Sequence, residues 1–175
     1  MIEVRRLREG DDRSGFTSGS PDLDRFFRVY AGQNQFRHHI GVTYVALEEG
    51  EILGFVTVTP SEIEIDALPE AKKNRLPRYP LPVLRLARLA VAASRSGAGV
   101  GRLLLRTVFG LASEMSGTLG CVGVVADAKP EAVEYYRAFG FEEIEVLEGM
   151  LGERPLPITM FLPLQSIPPP VRGPA

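Results

Sequence analysis

The chain has 175 residues, 45% of them hydrophobic, and a formal net charge of −2 at pH 7. That length suits one compact domain, and that apolar content excludes general disorder. No apolar run approaches the roughly 20 residues a membrane span needs, and charges at Glu3, Arg5 and Arg6 stand where a signal peptide would carry an apolar core, so a soluble cytoplasmic protein without membrane partners is expected.

In chain order, Ile2 to Arg6 alternates apolar and charged residues and reads as a strand. Ser20-Pro21-Asp22 has the chemistry of a helix start, with a capping serine, proline at the first position and an acid in the first turn. Leu23, Phe26, Phe27 and Tyr30 follow at helical spacing as an expected core stripe, whereas Gln33 to His39 shows no period. Val42 to Leu47 and Ile52 to Thr59 are β-rich runs joined by Glu48-Glu49-Gly50-Glu51, a hairpin signal, and Ser61 to Asp66 is a candidate extension. Four prolines between Leu68 and Pro82 predict loop.

Val83 to Ala93 reads as a central strand, and Leu103, Leu104, Thr107, Val108 and Leu111 mark a helix that starts within a glycine loop. Cys121 to Ala126 is a further strand, Pro130 to Phe139 a helix stopped by Gly140, and Phe141 to Val146 and Pro157 to Leu164 the last strands. The domain is expected over residues 1–165, with a proline-rich, flexible tail over 166–175. The single cysteine, Cys121, excludes an internal disulfide and a multi-cysteine zinc site, and reads as a small buried hydrophobe. His38 and His39 lack metal-ligand spacing, so no metal is expected.

The near-neutral charge hides a basic middle. Between Ala71 and Ser113 stand nine bases and no acid: Lys72, Lys73, Arg75, Arg78, Arg85, Arg88, Arg95, Arg102 and Arg106. Such a window suits a polyanionic ligand, and equally a solvated face with acidic neighbours from both flanks.

The same window holds Gly97-Ala98-Gly99-Val100-Gly101 between a strand and an amphipathic helix. Alternate glycines let backbone approach an anion, and a helix N-terminus offers unpaired N–H donors. Taken alone, the turn is equally readable as purely structural. It is not a P-loop, because Gly101 is followed by Arg102-Leu103 rather than Lys-Ser/Thr, and its G-x-G-x-G spacing differs from the dinucleotide fingerprint.

The company of this loop adds to it. Leu89-Ala90-Val91 precedes it, and Tyr136-Arg137-Ala138-Phe139-Gly140-Phe141 follows after another strand. Over roughly Met1 to Leu164 the chain resembles the GNAT superfamily of N-acetyltransferases, whose R/Q-x-x-G-x-G/A loop corresponds to Ser96-Gly97-Ala98-Gly99-Val100-Gly101. Ser96 departs from the usual Arg or Gln, and Arg95 sits one place earlier. The resemblance implies an α/β (α+β) fold with a mixed central sheet, splayed at the acetyl-CoA site and flanked by helices. It implies that Leu89, Ala90 and Val91 bond the pantetheine arm, and that Arg95, Ser96 and Gly97 to Arg102 hold the pyrophosphate. Tyr136 matches the family's general acid. No general base is identifiable: Glu62, Glu64 and Asp66 are candidates, and water would serve equally.

A narrower resemblance rests on Phe16-Thr17-Ser18-Gly19, Leu23-Asp24, Thr43-Tyr44-Val45, the run Leu86 to Val91 and Met160 to Leu164. It is to the GNAT toxins of bacterial toxin–antitoxin pairs, which acetylate the amino group of aminoacyl-tRNA. That implies aminoacyl-tRNA and a small antitoxin as partners, and makes a homodimer plausible. Lys72, Lys73, Arg75, Arg78, Arg85 and Arg88 are then candidate phosphate contacts. The alternatives are an acetyltransferase of small amines or protein N-termini, and a CoA-binding module without turnover.

Overall fold

A mixed sheet of seven strands, in the order β1-β2-β3-β4-β5-β7-β6, organises the chain. The computed structural model describes residues 1–64, 80–144 and 157–168. Most of the proline-rich stretch, the end of the strand expected at Phe141–Val146, and most of the tail fall outside these residues.

β1 (Glu3–Arg6), β2 (Val42–Glu48) and β3 (Glu51–Ile63) form an antiparallel meander. Its β2–β3 turn needs a positive φ at both Glu49 (51°) and Gly50 (81°), the conformation of a tight hairpin. β3 is one long strand that absorbs the expected extension as far as Ile63. β4 (Leu81–Val91) begins earlier than expected and contains Pro82. Proline lacks a donor, but its carbonyl still accepts from Val122 N–H at 2.9 Å. β5 (Gly123–Ala128) starts two residues later than expected and pairs with β7 (Ile158–Pro163), which also carries the two-residue β6 (Glu142–Glu143).

α1 (Pro21–Arg25) begins where Ser20-Pro21 predicts, although the Ser20 side chain makes no capping bond. It continues through a π-helical turn at Phe26–Tyr30, α2 (Ala31–Gln33) and a second π turn at Asn34–His38. A π turn bonds i to i+5, here Ala31 N–H to the Phe26 carbonyl. The extra residue rotates the stripe: Phe26, Phe27 and Ala31 are buried, while Tyr30 is turned outward. It also explains why Gln33 to His39 shows no α period although Gln33 to His38 is helical. α3 (Val100–Thr118) is the long helix, and α4 (Val133–Arg137) follows a 3₁₀ turn at Pro130–Ala132. Among the described residues no helix is long and apolar enough to cross a membrane.

Two compact units divide the chain. The first, Met1–Thr59 with Leu86–Val108, packs Leu7, Phe16, Phe26, Phe27, Val45, Phe55 and Ala90 together. Phe27 stacks on Phe55 with centroids 4.3 Å apart, and Phe16 meets both rings edge-on. Gly54 has a packing reason in this unit, since a Cβ there would lie 3.0 Å from the Ala90 carbonyl oxygen and 2.9 Å from Val100 Cγ1. The second unit, Pro60–Arg85 with Phe109–Ala175, centres on Ile63, Leu81, Val83, Val125, Ile144 and Phe161. Cys121 is buried and free, its Sγ 3.2 Å from the Gly123 carbonyl oxygen, as a small structural residue would be.

Candidate functional site

The glycine loop is delivered by a chain of backbone bonds. From the end of β4, Ala92 N–H donates to Leu53 O at 2.8 Å and Ala93 N–H to Thr17 O at 2.9 Å. A 3₁₀ turn over Ala93–Arg95 follows, closed by Arg95 N–H on Ala92 O and by Ala98 N–H on Arg95 O. Gly97 (φ 78°) and Gly99 (φ 83°) then take left-handed conformations, and a Cβ built on either meets nothing within 4 Å. Their requirement is therefore conformational, and the space above them is open to a ligand.

The first bond entering α3 is Leu103 N–H to Gly99 O at 3.2 Å. The N–H groups of Val100 and Gly101 precede it in the first turn, whose donors have no intrahelical partner. Such donors at the positive end of a 19-residue helix, beside two open glycines, suit a pyrophosphate.

Around this loop the side chains sort themselves. Ser96 is exposed. Arg95 reaches Glu48 at 3.4 Å and Glu51 at 3.9 Å, so its charge is shared with the β2–β3 turn. Arg102 is exposed on the first turn of α3. On β4, Ala90 is buried in the aromatic core, Leu89 and Val91 are half-buried, and the guanidinium of the exposed Arg88 lies 3.9 Å from the centre of the Phe26 ring.

Tyr136 belongs to the second unit. It is only 4% exposed, against Phe141 (5.4 Å, edge-on) and Tyr135 (5.6 Å, edge-on). No hydrogen bond to its hydroxyl is formed among the described residues. No fully buried side-chain oxygen is left without a partner there either, so the hydroxyl lies at the edge of the packed ring. Burial pushes the phenol well above its ordinary value, with further upward contributions from Tyr135 and Asp127. The group therefore keeps its proton throughout the neutral range.

In the same unit Arg85 Nη1 donates to Asp127 Oδ1 at 2.6 Å, and Nε to Ser61 Oγ at 3.3 Å. Asp127 was not singled out from sequence. Its signal there is a lone acid in the apolar run Val124-Val125-Ala126-Asp127-Ala128. Glu62 and Glu64 are exposed, and Asp66 lies outside the described residues, as do Lys72, Lys73, Arg75 and Arg78. His38 and His39 are exposed, and no cluster of three or more potential metal ligands exists among the described residues.

Comparison with known proteins gives the family. The family profile of the acetyltransferase (GNAT) domain matches residues 39–143. A tRNA-acetylating toxin of Mycobacterium tuberculosis (strain ATCC 25618 / H37Rv) is 30% identical over 139 residues, which is 79% of this chain and 82% of that protein. Among solved structures, AtaT complexed with acetyl-methionyl-tRNAfMet superposes with a TM-score of 0.81 at 25% identity, covering 95% of this chain and 97% of that one. AtaTR bound with acetyl-CoA gives a TM-score of 0.75 at 25% identity, covering 95% of each chain.

Proposed function

The chain belongs to the GNAT acetyltransferase family, and from that membership we propose that it moves the acetyl group of acetyl-CoA to the α-amino group of an aminoacyl-tRNA. The observation that carries the acceptor is the 30% identity, over 79% of the chain, to a tRNA-acetylating toxin. The likeness to AtaT in complex with acetyl-methionyl-tRNAfMet supports it. Charged tRNA is cytoplasmic, and so, in this reading, is the protein, with an antitoxin as its regulatory partner and a second copy of itself as a candidate one.

The donor is held by its pyrophosphate. Val100 and Gly101 present N–H groups, and the glycines at 97 and 99 admit the phosphates to backbone distance. Ser96 supplies no cation where the family has Arg or Gln, and Arg95 is shared with two acids. Backbone donors therefore do most of the gripping. Leu89, Ala90 and Val91 line up with the pantetheine amides, and a backbone N–H at Leu89 or Val91 stabilises charge on the carbonyl oxygen.

In the transfer the neutral amine attacks the thioester carbonyl. The C–N bond forms, the C–S bond breaks, the amine proton passes to water and the coenzyme thiolate takes a proton from a general acid. Tyr136 is the proposed donor, because it stands where the family carries its general acid and its phenol is protonated at neutral pH. Arg88 on β4 and Lys72, Lys73, Arg75 and Arg78 are the proposed phosphate contacts of the tRNA.

The test is an acceptor panel. Labelled acetyl-CoA is offered with charged tRNA, uncharged tRNA, peptides and polyamines. Label on charged tRNA alone supports the reading. Label on peptides or polyamines instead points to the small-amine enzyme, and label on none points to a CoA-binding module.

A further inference from the structure

Asp24 is a buried carboxylate, 6% exposed, in the unit that holds the aromatic cluster. Burying a charge is costly unless donors surround it. Its donors all come from one short loop: Ser18 N–H at 2.9 Å and Ser18 Oγ at 2.6 Å to Oδ1, and Thr17 Oγ at 3.4 Å to Oδ2. The carbonyl of that same Thr17 accepts the N–H of Ala93, the first residue of the turn that leads into Ser96–Gly101. One residue earlier, Phe16 is held independently, by its ring in the aromatic cluster and by Arg28 on its carbonyl.

We infer that Asp24 is a positioning residue for the coenzyme: its carboxylate sets Thr17 and Ser18, and the Thr17 carbonyl fixes the turn that aims the glycine loop. The inference rests on the reading of Ser96–Gly101 as the pyrophosphate site. The division of labour along the loop points to this role. Phe16 and Arg28 anchor the loop to the core by contacts that do not involve Asp24. The Asp24 bonds act one and two residues further on, where the loop touches Ala93. Asparagine at 24 keeps the size but turns an amide nitrogen toward one of the two sets of donors, so Thr17 and Ser18 no longer share an acceptor and one of them faces a donor instead.

The experiment measures CoA affinity by calorimetry on the full chain, together with KM for acetyl-CoA and kcat at saturation. The variants are Asp24→Asn, Ser18→Ala and, as a control on the loop itself, Gly99→Ala. The inference expects Asp24→Asn to weaken CoA about tenfold and Ser18→Ala about threefold, on the scale of lost hydrogen bonds to a charged group. KM for acetyl-CoA rises in step while kcat stays within about twofold. A purely structural role would lower the melting temperature and the active fraction without this split. A folded Asp24→Asn protein with unchanged CoA affinity, while Gly99→Ala weakens it, overturns the inference alone. Unchanged affinity in Gly99→Ala overturns the loop reading and the inference with it. Should Asp24→Asn fail to fold, Ser18→Ala decides, and unchanged affinity there overturns the inference.

Discussion

The guanidinium of Arg85 on β4 lies 2.6 Å from the carboxylate of Asp127 on β5, and each side chain is about a fifth exposed (22% and 23%). A cation so engaged offers little to a phosphate, because leaving Asp127 would strand a half-buried charge. Arg85 is therefore expected to serve stability, while Arg88, three residues on in the basic window, is kept as a proposed phosphate contact.

The first prediction separates them by salt dependence. Arg88→Ala lowers the slope of log affinity against log salt for tRNA by about one phosphate contact. Arg85→Ala leaves that slope unchanged and lowers the thermal midpoint instead. Filter binding across a salt series, alongside thermal melts, reads both.

A second prediction concerns the coenzyme. Gly97 and Gly99 sit at positive φ with open space above, so Gly97→Val forces a β-branched residue into a left-handed conformation at a cost of about 1–3 kcal/mol. It also places a side chain where the phosphates approach. CoA affinity falls about tenfold or more, measured by calorimetry, while affinity for tRNA stays the same.

How far the sequence anticipates this molecule depends on the kind of signal. The meander, the central strand, the long helix and the proline-started helix before Gly140 follow from period, proline and glycine, so they are legible. The glycine loop is legible as a shape, and in sequence it reads as a candidate site only in company with Leu89–Val91 and Tyr136. What stays hidden is three-dimensional. The π turns at Phe26–Tyr30 and Asn34–His38 put Tyr30 outside and Ala31 inside, and no α-helical period anticipates that. The Arg95–Glu48, Arg85–Asp127 and Asp24–Ser18 pairings join residues 47, 42 and 6 positions apart. A charge tally along the chain cannot distinguish a committed arginine from one that faces a ligand.

A third prediction uses acid. Arg5 grips Asp11 with two bonds of 2.8 and 2.9 Å, and Arg8 N–H adds a third. The bonds from Arg5, first of all, hold the Asp11 carboxyl below its ordinary value of 3.8. A depressed folded pKa means stabilisation that is complete above the unfolded value and disappears as pH falls through the folded one. Asp11→Asn therefore costs about 1 kcal/mol near neutrality, a modest figure for a pair near the surface. The difference from wild type closes below pH 3.8 in urea melts.

The core gives a fourth. Phe27 is completely buried and stacked on Phe55 at 4.3 Å. Phe27→Ala destabilises the fold by about 3–5 kcal/mol. Denaturant titration should register this as a lower midpoint at a nearly unchanged slope.

The central claim is that acetyl passes from acetyl-CoA to the amine of charged tRNA with the Tyr136 phenol as proton donor. The most direct measurement is single-turnover transfer of labelled acetyl from acetyl-CoA to aminoacyl-tRNA by the wild-type protein and by Tyr136→Phe, with the affinity of each protein for both substrates determined in parallel. The account predicts transfer by the wild type, a loss of about 10²–10⁴-fold in rate for the variant, and little change in either affinity. Transfer by Tyr136→Phe at the wild-type rate, or no label on charged tRNA with the wild type, would contradict it.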